Sequence, residues 1–471
     1  MRLGALTGGD ETASVTGFAI DHRKVAPGTV FGAFPGARFD GEAFIPQAVE
    51  SGAVAVVAGL DARVEGAAHI ADVNPRARFA RLAARFFKPF PETAVAVTGT
   101  NGKTSTVEMC RQLWRMAGHH AASIGTLGVT TADERVVTGL TTPDIVTFLS
   151  NVAGLAREGV THLAFEASSH GLDQYRTEGV PVAAAAFTNL SRDHLDYHGT
   201  MEAYLQAKLR LFAETLSPGG AAVVWVDDPV SGHVAEVARG RGARVLTVGE
   251  GGETLRLVGR TPTLLGQTLT IEAEGTTHKV VLPLIGAYQA ANALVAAGLV
   301  IATGGAVAAT LQALARLQPV RGRLERASIA RSGAPIYVDY AHTPDALEAA
   351  IAALKPHAGG RLILVFGAGG DRDPGKRSAM GAVAAARADR VIVTDDNPRG
   401  EDPAAIRRTV MEGVPNALEI GDRRDAIAAA IREAGPHDIV LVAGKGHEQG
   451  QVVGDLILPF DDVAVAREYA A

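Results

Sequence analysis

Val95-Ala96-Val97-Thr98-Gly99-Thr100-Asn101-Gly102-Lys103-Thr104-Ser105 is the stretch that decides the fold. Its apolar half reads as a buried strand, its glycines as a tight turn, and Thr104-Ser105-Thr106-Val107-Glu108-Met109 as the first turns of a helix. Such a layout cradles phosphate, because glycine lets backbone N–H groups approach an anion and a helix N-terminus adds partial positive charge. Lys103 reaches toward outer phosphates, and the Thr104 hydroxyl suits a magnesium ion. The spacing is GxxGKT, with Val97 where the longer GxxxxGK[ST] pattern has its first glycine. Strand, GKT and helix together imply a nucleotide loop, with ATP as its ligand.

Working outward, 471 residues exceed one hydrophobic core, so roughly two to four domains are expected. Hydrophobic residues at 47% and charged ones at 20% describe an ordinary globular protein. A net charge of -6 leaves no basic footprint for nucleic acid. Cys110 is the single cysteine, which excludes a disulfide framework and a cysteine metal cluster. The first ten residues lack the apolar core of a signal peptide, so a cytoplasmic protein is expected. Residues 280–315 carry no charge, but Pro283, Gln289, Asn292 and Gly304-Gly305 interrupt them. They predict two buried helices, near 288–302 and 305–316, rather than a membrane span.

Residues 1–90 alternate short strands and helices and close on Lys88-Pro89-Phe90-Pro91, a linker. Residues 91–321 repeat strand, loop and helix. Thr142-Pro143-Asp144 predicts a helix with a hydroxyl cap and proline at its first position. Strands near 161–165 and 182–187 deliver Glu166-Ala167-Ser168-Ser169-His170 and Asn189-Leu190-Ser191-Arg192-Asp193-His194 to loops. In an open parallel sheet these land on the edge that carries the phosphate loop. Residues 253–283 alternate as an antiparallel appendage. After Arg321-Gly322-Arg323, residues 322–471 form another strand–helix repeat. The fold expected is α/β in three domains: a small mixed N-terminal domain, a central ATPase-like parallel sheet bearing the phosphate loop, and a C-terminal doubly wound, Rossmann-like domain.

One carboxylate, Glu166, and one imidazole, His194, beside Thr104 suit magnesium, which takes few protein ligands alongside phosphate oxygens. Lys208, within a helix predicted over 201–214, is either a plain cation beside phosphate or an anionic ligand once carbamylated by carbon dioxide. Three polar loops end strands of the C-terminal unit: GAGGDRDPGKR at 367–377, TDDNPR at 394–399, and GKGHE at 444–448. Arginine forks bind carboxylates bidentately, so Arg372 and Arg399 suit a substrate with free carboxylates, and Glu448 suits an ammonium.

GTNGKT, the Glu166 segment, NLSRDHLDYHG at 189–199, Lys208, DYAHTPDAL at 339–347, GGDRDPGKR, DNPR and GKGHE occur in the order in which the Mur ligases carry them. The chain resembles that family over nearly its whole length. Within it, the likeness is to members that add the third residue of the peptidoglycan stem peptide, and DNPR resembles the form that selects meso-diaminopimelate over lysine. The resemblance implies ATP, Mg2+, a UDP-linked muramoyl dipeptide and meso-diaminopimelate as ligands, and an amide ligase working through an acyl phosphate.

It places Gly99, Thr100, Asn101, Gly102, Lys103, Thr104, Ser105, Asn292, Arg323 and Asp339 on ATP, with Lys103, Glu166, His194 and Lys208 catalytic. Thr104, Glu166, His194 and carbamylated Lys208 would lie at the metals. His22, Thr141, Thr142, Ser168 and Arg176 would hold the UDP substrate. Arg372, Asp396, Asn397, Pro398, Arg399, Gly444 and Glu448 would hold diaminopimelate. Two departures stand out. Asp21-His22-Arg23 replaces the family's DSR, and Gly286-Ala287-Tyr288-Gln289-Ala290-Ala291-Asn292 keeps only the last asparagine of its signature. A monomer without nucleic-acid or membrane partners is expected. The alternatives are the lysine-adding member, a folylpolyglutamate-type ligase, and a nucleotide-binding regulator without catalysis.

Overall fold

The computed structural model describes residues 1–36, 40–136, 139–263 and 265–471. Among the described residues, three large sheets follow one another along the chain, with a two-stranded one beside the last. The first is four-stranded and parallel, in the order Gly17–Ala19, Thr29–Gly32, Ala53–Ala58, Ala68–Ala71. The helix Pro75–Phe87 covers it, capped by the Asn74 side chain and started by Pro75.

The second sheet has eleven strands. Thr93–Thr98 lies near its middle, parallel to His162–Glu166 on one side and to Val182–Phe187 on the other. All three are nearly continuous apolar runs, the composition of strands buried on both faces. Their register sets Val97 opposite Glu166 and Thr98 opposite Phe187, so the three polar loops leave the sheet along one edge. The antiparallel strands Leu255–Thr263, Gly266–Ala273 and Thr276–Leu282 complete the far side, as the alternation over 253–283 predicts.

The uncharged segment forms two helices, Ala287–Ala302 and Val307–Ala313. Ala287–Ala302 packs on the phosphate-loop helix Lys103–Met116, its small residues allowing the close approach. Among the described residues no helix is long and apolar enough to cross a membrane.

The third sheet has six strands in the order Glu325–Ile329, Pro335–Asp339, Ile439–Ala443, Leu362–Phe366, Arg390–Val393, Leu418–Glu419. All its pairings are parallel except the first. Helices fill both of its faces, giving the α/β doubly wound architecture expected. A hairpin, Gly450–Val453 with Leu456–Pro459, projects from this unit.

Two sequence expectations are corrected in detail. The helix after Thr142 starts at Ile145, and its cap is Asp144, whose Oδ1 accepts from the Val146 and Thr147 N–H groups at 3.0 and 3.1 Å. The Asp144 carboxylate, next to the open N–H groups, takes the cap, while the Thr142 hydroxyl is drawn across the sheet to the Glu166 carbonyl at 2.9 Å. The helix over 201–214 is α-helical only over Met201–Arg210. It then widens into a π turn, Leu211–Thr215, which leads into Leu216–Trp225.

Candidate active site

The phosphate loop is held from the side by the loop that follows Val182–Phe187. The Thr100 N–H donates to the Asn189 carbonyl at 2.8 Å, and the Asn101 N–H to Asn189 Oδ1 at 2.9 Å. The Thr188 hydroxyl returns a bond to the Asn101 carbonyl at 2.6 Å. Gly99 (φ 144) and Gly102 (φ 87) take backbone angles that side chains disfavour. A Cβ on Gly99 would sit 1.9 Å from Thr188 Oγ1, and one on Gly102 would sit 2.3 Å from Asn292 Oδ1. The glycines are therefore needed for room as well as for φ, and Asn292 is brought against the loop from the helix Ala287–Ala302.

Both lysines converge on this loop. Lys103 Nζ donates to the Gly99 and Thr100 carbonyls at 3.0 and 2.8 Å. Lys208 Nζ donates to the Gly99 carbonyl at 2.7 Å and lies 4.2 Å from the centre of the Tyr204 ring. The Lys208 side chain is 1% exposed. Burial, reinforced by the nearby Lys103 charge, pushes its ammonium well below the usual lysine range. Burial lowers Lys103 as well, against the pull of Glu166 and Asp193.

The Glu166 carboxylate accepts from the Thr126 N–H at 2.7 Å and from its hydroxyl at 3.2 Å. His194 has φ 54, and its N–H donates to Asp193 Oδ1 at 2.9 Å. Burial lowers its imidazole to about 4 despite the opposing Asp193 carboxylate 3.5 Å away, so the ring is neutral at pH 7. His170 lies edge-on to it, ring centres 4.8 Å apart. Arg323 reaches the site from beyond the central sheet, Nη2 donating to Thr104 Oγ1 at 3.0 Å. Its guanidinium stacks on Tyr340, and its Nε is buried without a partner among the described residues. Asp339 accepts from the Leu324 and Ala341 N–H groups at 2.6 and 2.8 Å, and burial raises its carboxyl to about 6.

Four residues expected on the UDP substrate form one cluster around Glu166. The Thr126 hydroxyl, whose proton goes to Glu166, lies 3.0 Å from Thr141 Oγ1. Thr142 accepts from the Ser168 N–H at 3.1 Å, and Arg176 donates to the Thr142 carbonyl at 2.9 Å. Ser168 also caps the short helix Ser169–Asp173. His22 stands apart from them in the four-stranded unit, its ring stacked on Phe44 with centres 4.4 Å apart.

In the C-terminal unit, Asp396, Asn397, Pro398 and Arg399 form a loop against Gly444 and Glu448. Asn397 Nδ2 donates to Glu448 Oε2 at 2.8 Å, while Asn397 Oδ1 accepts from Lys445 Nζ at 2.9 Å. A Cβ on Gly444 would meet Asp396 Oδ2 at 2.5 Å. Arg399 has φ 51 and donates to the Gly370 carbonyl at 2.8 Å. Arg372 lies in a cleft of about 420 Å3 whose walls are Arg192, Leu195 and Asp196 of the central unit and Asp371, Asp373 and Pro374 of the C-terminal one. Arg192 Nη2 stands 3.5 Å from Asp373 Oδ2 across it. Residues 192–196 of the nucleotide half and the loop 367–377 thus face each other.

Sequence reasoning missed several of these participants. Lys445 sits inside the GKGHE stretch but is fully buried, a fact no local pattern carries. Arg192 lies inside NLSRDHLDYHG, where its long polar side chain was a signal for a contact across the cleft. Arg423 and Asp462, also fully buried, form a bidentate pair between segments far apart in sequence, and nothing in either segment announces it.

Three family models match the chain: Mur ligase family, catalytic domain, over residues 14–87; Mur ligase middle domain, over 97–300; and Mur ligase, glutamate ligase domain, over 322–446. The UDP-N-acetylmuramoyl-L-alanyl-D-glutamate–2,6-diaminopimelate ligase of Zymomonas mobilis is 60% identical, the match covering 96% of this chain and 94% of that one. Its namesake from Bradyrhizobium diazoefficiens is 52% identical, with 97% and 95% covered. A solved structure of a ligase with the same name superposes with a TM-score of 0.73 at 32% identity, covering 100% of this chain and 98% of that one. A Mycobacterium tuberculosis folylpolyglutamate synthase structure shares the fold alone, at 21% identity and a TM-score of 0.64, with 78% and 92% covered.

Proposed function

The chain belongs to the Mur ligase family, and on that footing we propose that it joins meso-2,6-diaminopimelate to UDP-N-acetylmuramoyl-L-alanyl-D-glutamate at the expense of ATP, in cytoplasmic peptidoglycan precursor synthesis. The observation that carries this reading is the cleft in which residues 192–196 of the phosphate-loop half of the molecule face the arginine-bearing loop 367–377. The identity with diaminopimelate ligases along almost the full chain supports the choice of amino acid. It outweighs the fold-level likeness to folylpolyglutamate synthases.

In the proposed reaction a D-glutamyl γ-carboxylate oxygen attacks the γ-phosphorus of ATP, and ADP leaves. The diaminopimelate amine then attacks the acyl carbon, the C–O bond to phosphate breaks, and the nitrogen loses a proton. Lys103 and Arg323 carry the positive charge that offsets the transferring phosphoryl group, and Lys103 is already held over the loop. Thr141, Thr142, Ser168 and Arg176 bind the UDP-linked substrate beside Glu166. Arg372, Arg399, Asp396 and Glu448 bind the amino acid's carboxylates and ammonium. His22, on its own unit, takes the outer end of the nucleotide-sugar.

The donors beside Lys103 fit magnesium by their chemistry: the Thr104 hydroxyl next to it in the chain, the Glu166 carboxylate, and the His194 imidazole kept neutral by burial. Thr104, Glu166, His194 and carbamylated Lys208 would hold it, and bound there it would neutralise phosphate charge. Carbamylation needs an unprotonated amine, and burial of Lys208 shifts its ammonium in that direction. The proposed division of the chain is a UDP-substrate unit at 1–90, an ATP unit at 91–321 and an amino-acid unit at 322–471.

The test is ADP release measured side by side with meso-diaminopimelate, with L-lysine and with no amino acid, the UDP-dipeptide present throughout. Release is expected only with meso-diaminopimelate. Equal turnover with L-lysine refutes the specificity, and turnover with folate and glutamate in place of the UDP-dipeptide would shift the assignment to the other branch.

A further inference from the structure

The hairpin 450–459 is poorly explained by burial. Its outer strand leaves Leu456 65%, Ile457 73% and Leu458 46% exposed, so little apolar area holds it in place. Hydrogen bonds to the loop 396–399 hold it instead. Gln451 Nε2 donates to the Asp396 carbonyl at 2.7 Å, and the Val452 N–H donates to Asn397 Oδ1 at 2.9 Å. The Arg399 N–H donates to the Val452 carbonyl at 3.0 Å, and the Gly454 N–H donates to the Arg399 carbonyl at 2.7 Å. The inner strand therefore runs alongside the loop, with Val453 bridged in parallel to Arg399.

The residue so gripped is strained. Arg399 carries φ 51, a region that residues with a Cβ seldom occupy. Both of its backbone hydrogen-bonding groups are taken by the hairpin, and its guanidinium is turned to the Gly370 carbonyl. Asn397 is equally committed, its Oδ1 to Val452 and Lys445 and its Nδ2 to Glu448, so its polar atoms are spent on the loop's shape.

We propose that the hairpin is a clamp that fixes the conformation of the loop 396–399, and that Gln451 is a positioning residue for amino-acid recognition. The inference rests on the assignment of that loop to diaminopimelate. The Gln451 amide fixes the peptide between Asp396 and Asn397, and with it the aim of the Asp396 carboxylate beside Gly444. Val452 and Gly454 fix Arg399 two residues later. A loosened loop still offers the same charges, but no longer in one geometry, so binding of the amino acid weakens while the phosphoryl-transfer half is untouched.

Steady-state kinetics on the full chain test this. Gln451→Ala is expected to raise KM for meso-diaminopimelate about tenfold, the effect of losing one well-placed hydrogen bond. It should leave kcat and both other KM values within about twofold. Gln451→Glu keeps the length and volume but faces the carbonyl with an acceptor, so it should do at least as badly, whereas a packing role would leave it near wild type. Discrimination against L-lysine should fall in both variants. Arg399→Ala is measured beside them. If it impairs diaminopimelate binding while both Gln451 variants behave as wild type, the clamp is refuted and the loop assignment stands. If Arg399→Ala has no effect, the loop assignment itself falls and the clamp with it. A loss spread equally over all three substrates, or a large drop in melting temperature, would show a general structural role and overturn the proposal.

Discussion

Replacing Arg423 by methionine should be among the most damaging single changes in the C-terminal unit. Arg423 Nε and Nη2 meet the two Asp462 carboxylate oxygens at 2.8 Å each, and neither side chain is exposed. The same guanidinium donates to the Ala443 carbonyl at 3.0 Å and the Asp395 carbonyl at 3.3 Å, at the roots of the loops that carry Gly444 and Asp396. Methionine fills much of the volume but leaves the Asp462 charge buried and unpaired. Breaking such a pair from one side costs about 3–5 kcal/mol. For a unit the size of residues 322–471 that lowers Tm by roughly 6–20 °C. Removing both charges, Arg423→Met with Asp462→Leu, should recover most of the loss, because no stranded carboxylate remains.

The assay must see this unit alone. Both tryptophans, Trp114 and Trp225, lie in the central unit, so fluorescence would miss the event. Hydrogen exchange in the strand Ile439–Ala443 and calorimetry would report it. A single variant costing less than about 1 kcal/mol, or a double variant no better than the single, would refute the reasoning.

Three other changes probe the nucleotide half. Gly102→Ala must hold φ near 87 and displace Asn292. The backbone term alone, about 1–2 kcal/mol, should raise KM for ATP roughly 5- to 30-fold. An unchanged KM for ATP would show that the loop does not need this shape.

Lys208→Ala should be inactive and partly rescued by a short-chain carboxylic acid that replaces the carbamate; full activity without rescue would exclude a catalytic Lys208. Asp339 has its carboxyl raised from 3.8 to about 6 by burial. Its protonated form therefore stabilises the fold below about pH 4, and roughly 3 kcal/mol of that is lost as pH rises through 6. Asparagine does not titrate, so the Tm gap between wild type and Asp339→Asn should be larger at pH 4 than at pH 7.5. A gap that widens with pH would refute the burial argument.

Much of the architecture was legible because its signals are local. Thr93–Thr98 and Lys103–Met116 follow from an apolar run, a glycine turn and a helix start within one short stretch. The antiparallel appendage follows from two-residue alternation, and the helix Pro75–Phe87 from the proline at its first position. The misplaced cap at Thr142 shows the limit of such signals. Thr142 and Asp144 both have capping chemistry, and the choice between them was made by a carbonyl on another strand, that of Glu166.

By itself, then, the sequence determined the phosphate loop, the order of strands and helices, and the polar clusters at strand ends, because each depends on residues a few positions apart. Only the tertiary structure decided which of those clusters meet. Arg323 reaches Thr104 from 219 residues away, Lys208 reaches Gly99 from 109, and Arg192 faces Asp373 across the cleft. It also decided which lysines lose water, so that Lys208 and Lys445 are buried rather than on the surface. The physical reason is that desolvation and long-range contact are properties of packing. A lysine's charge state is set by what surrounds it in space, and a one-dimensional pattern of residue types does not contain that.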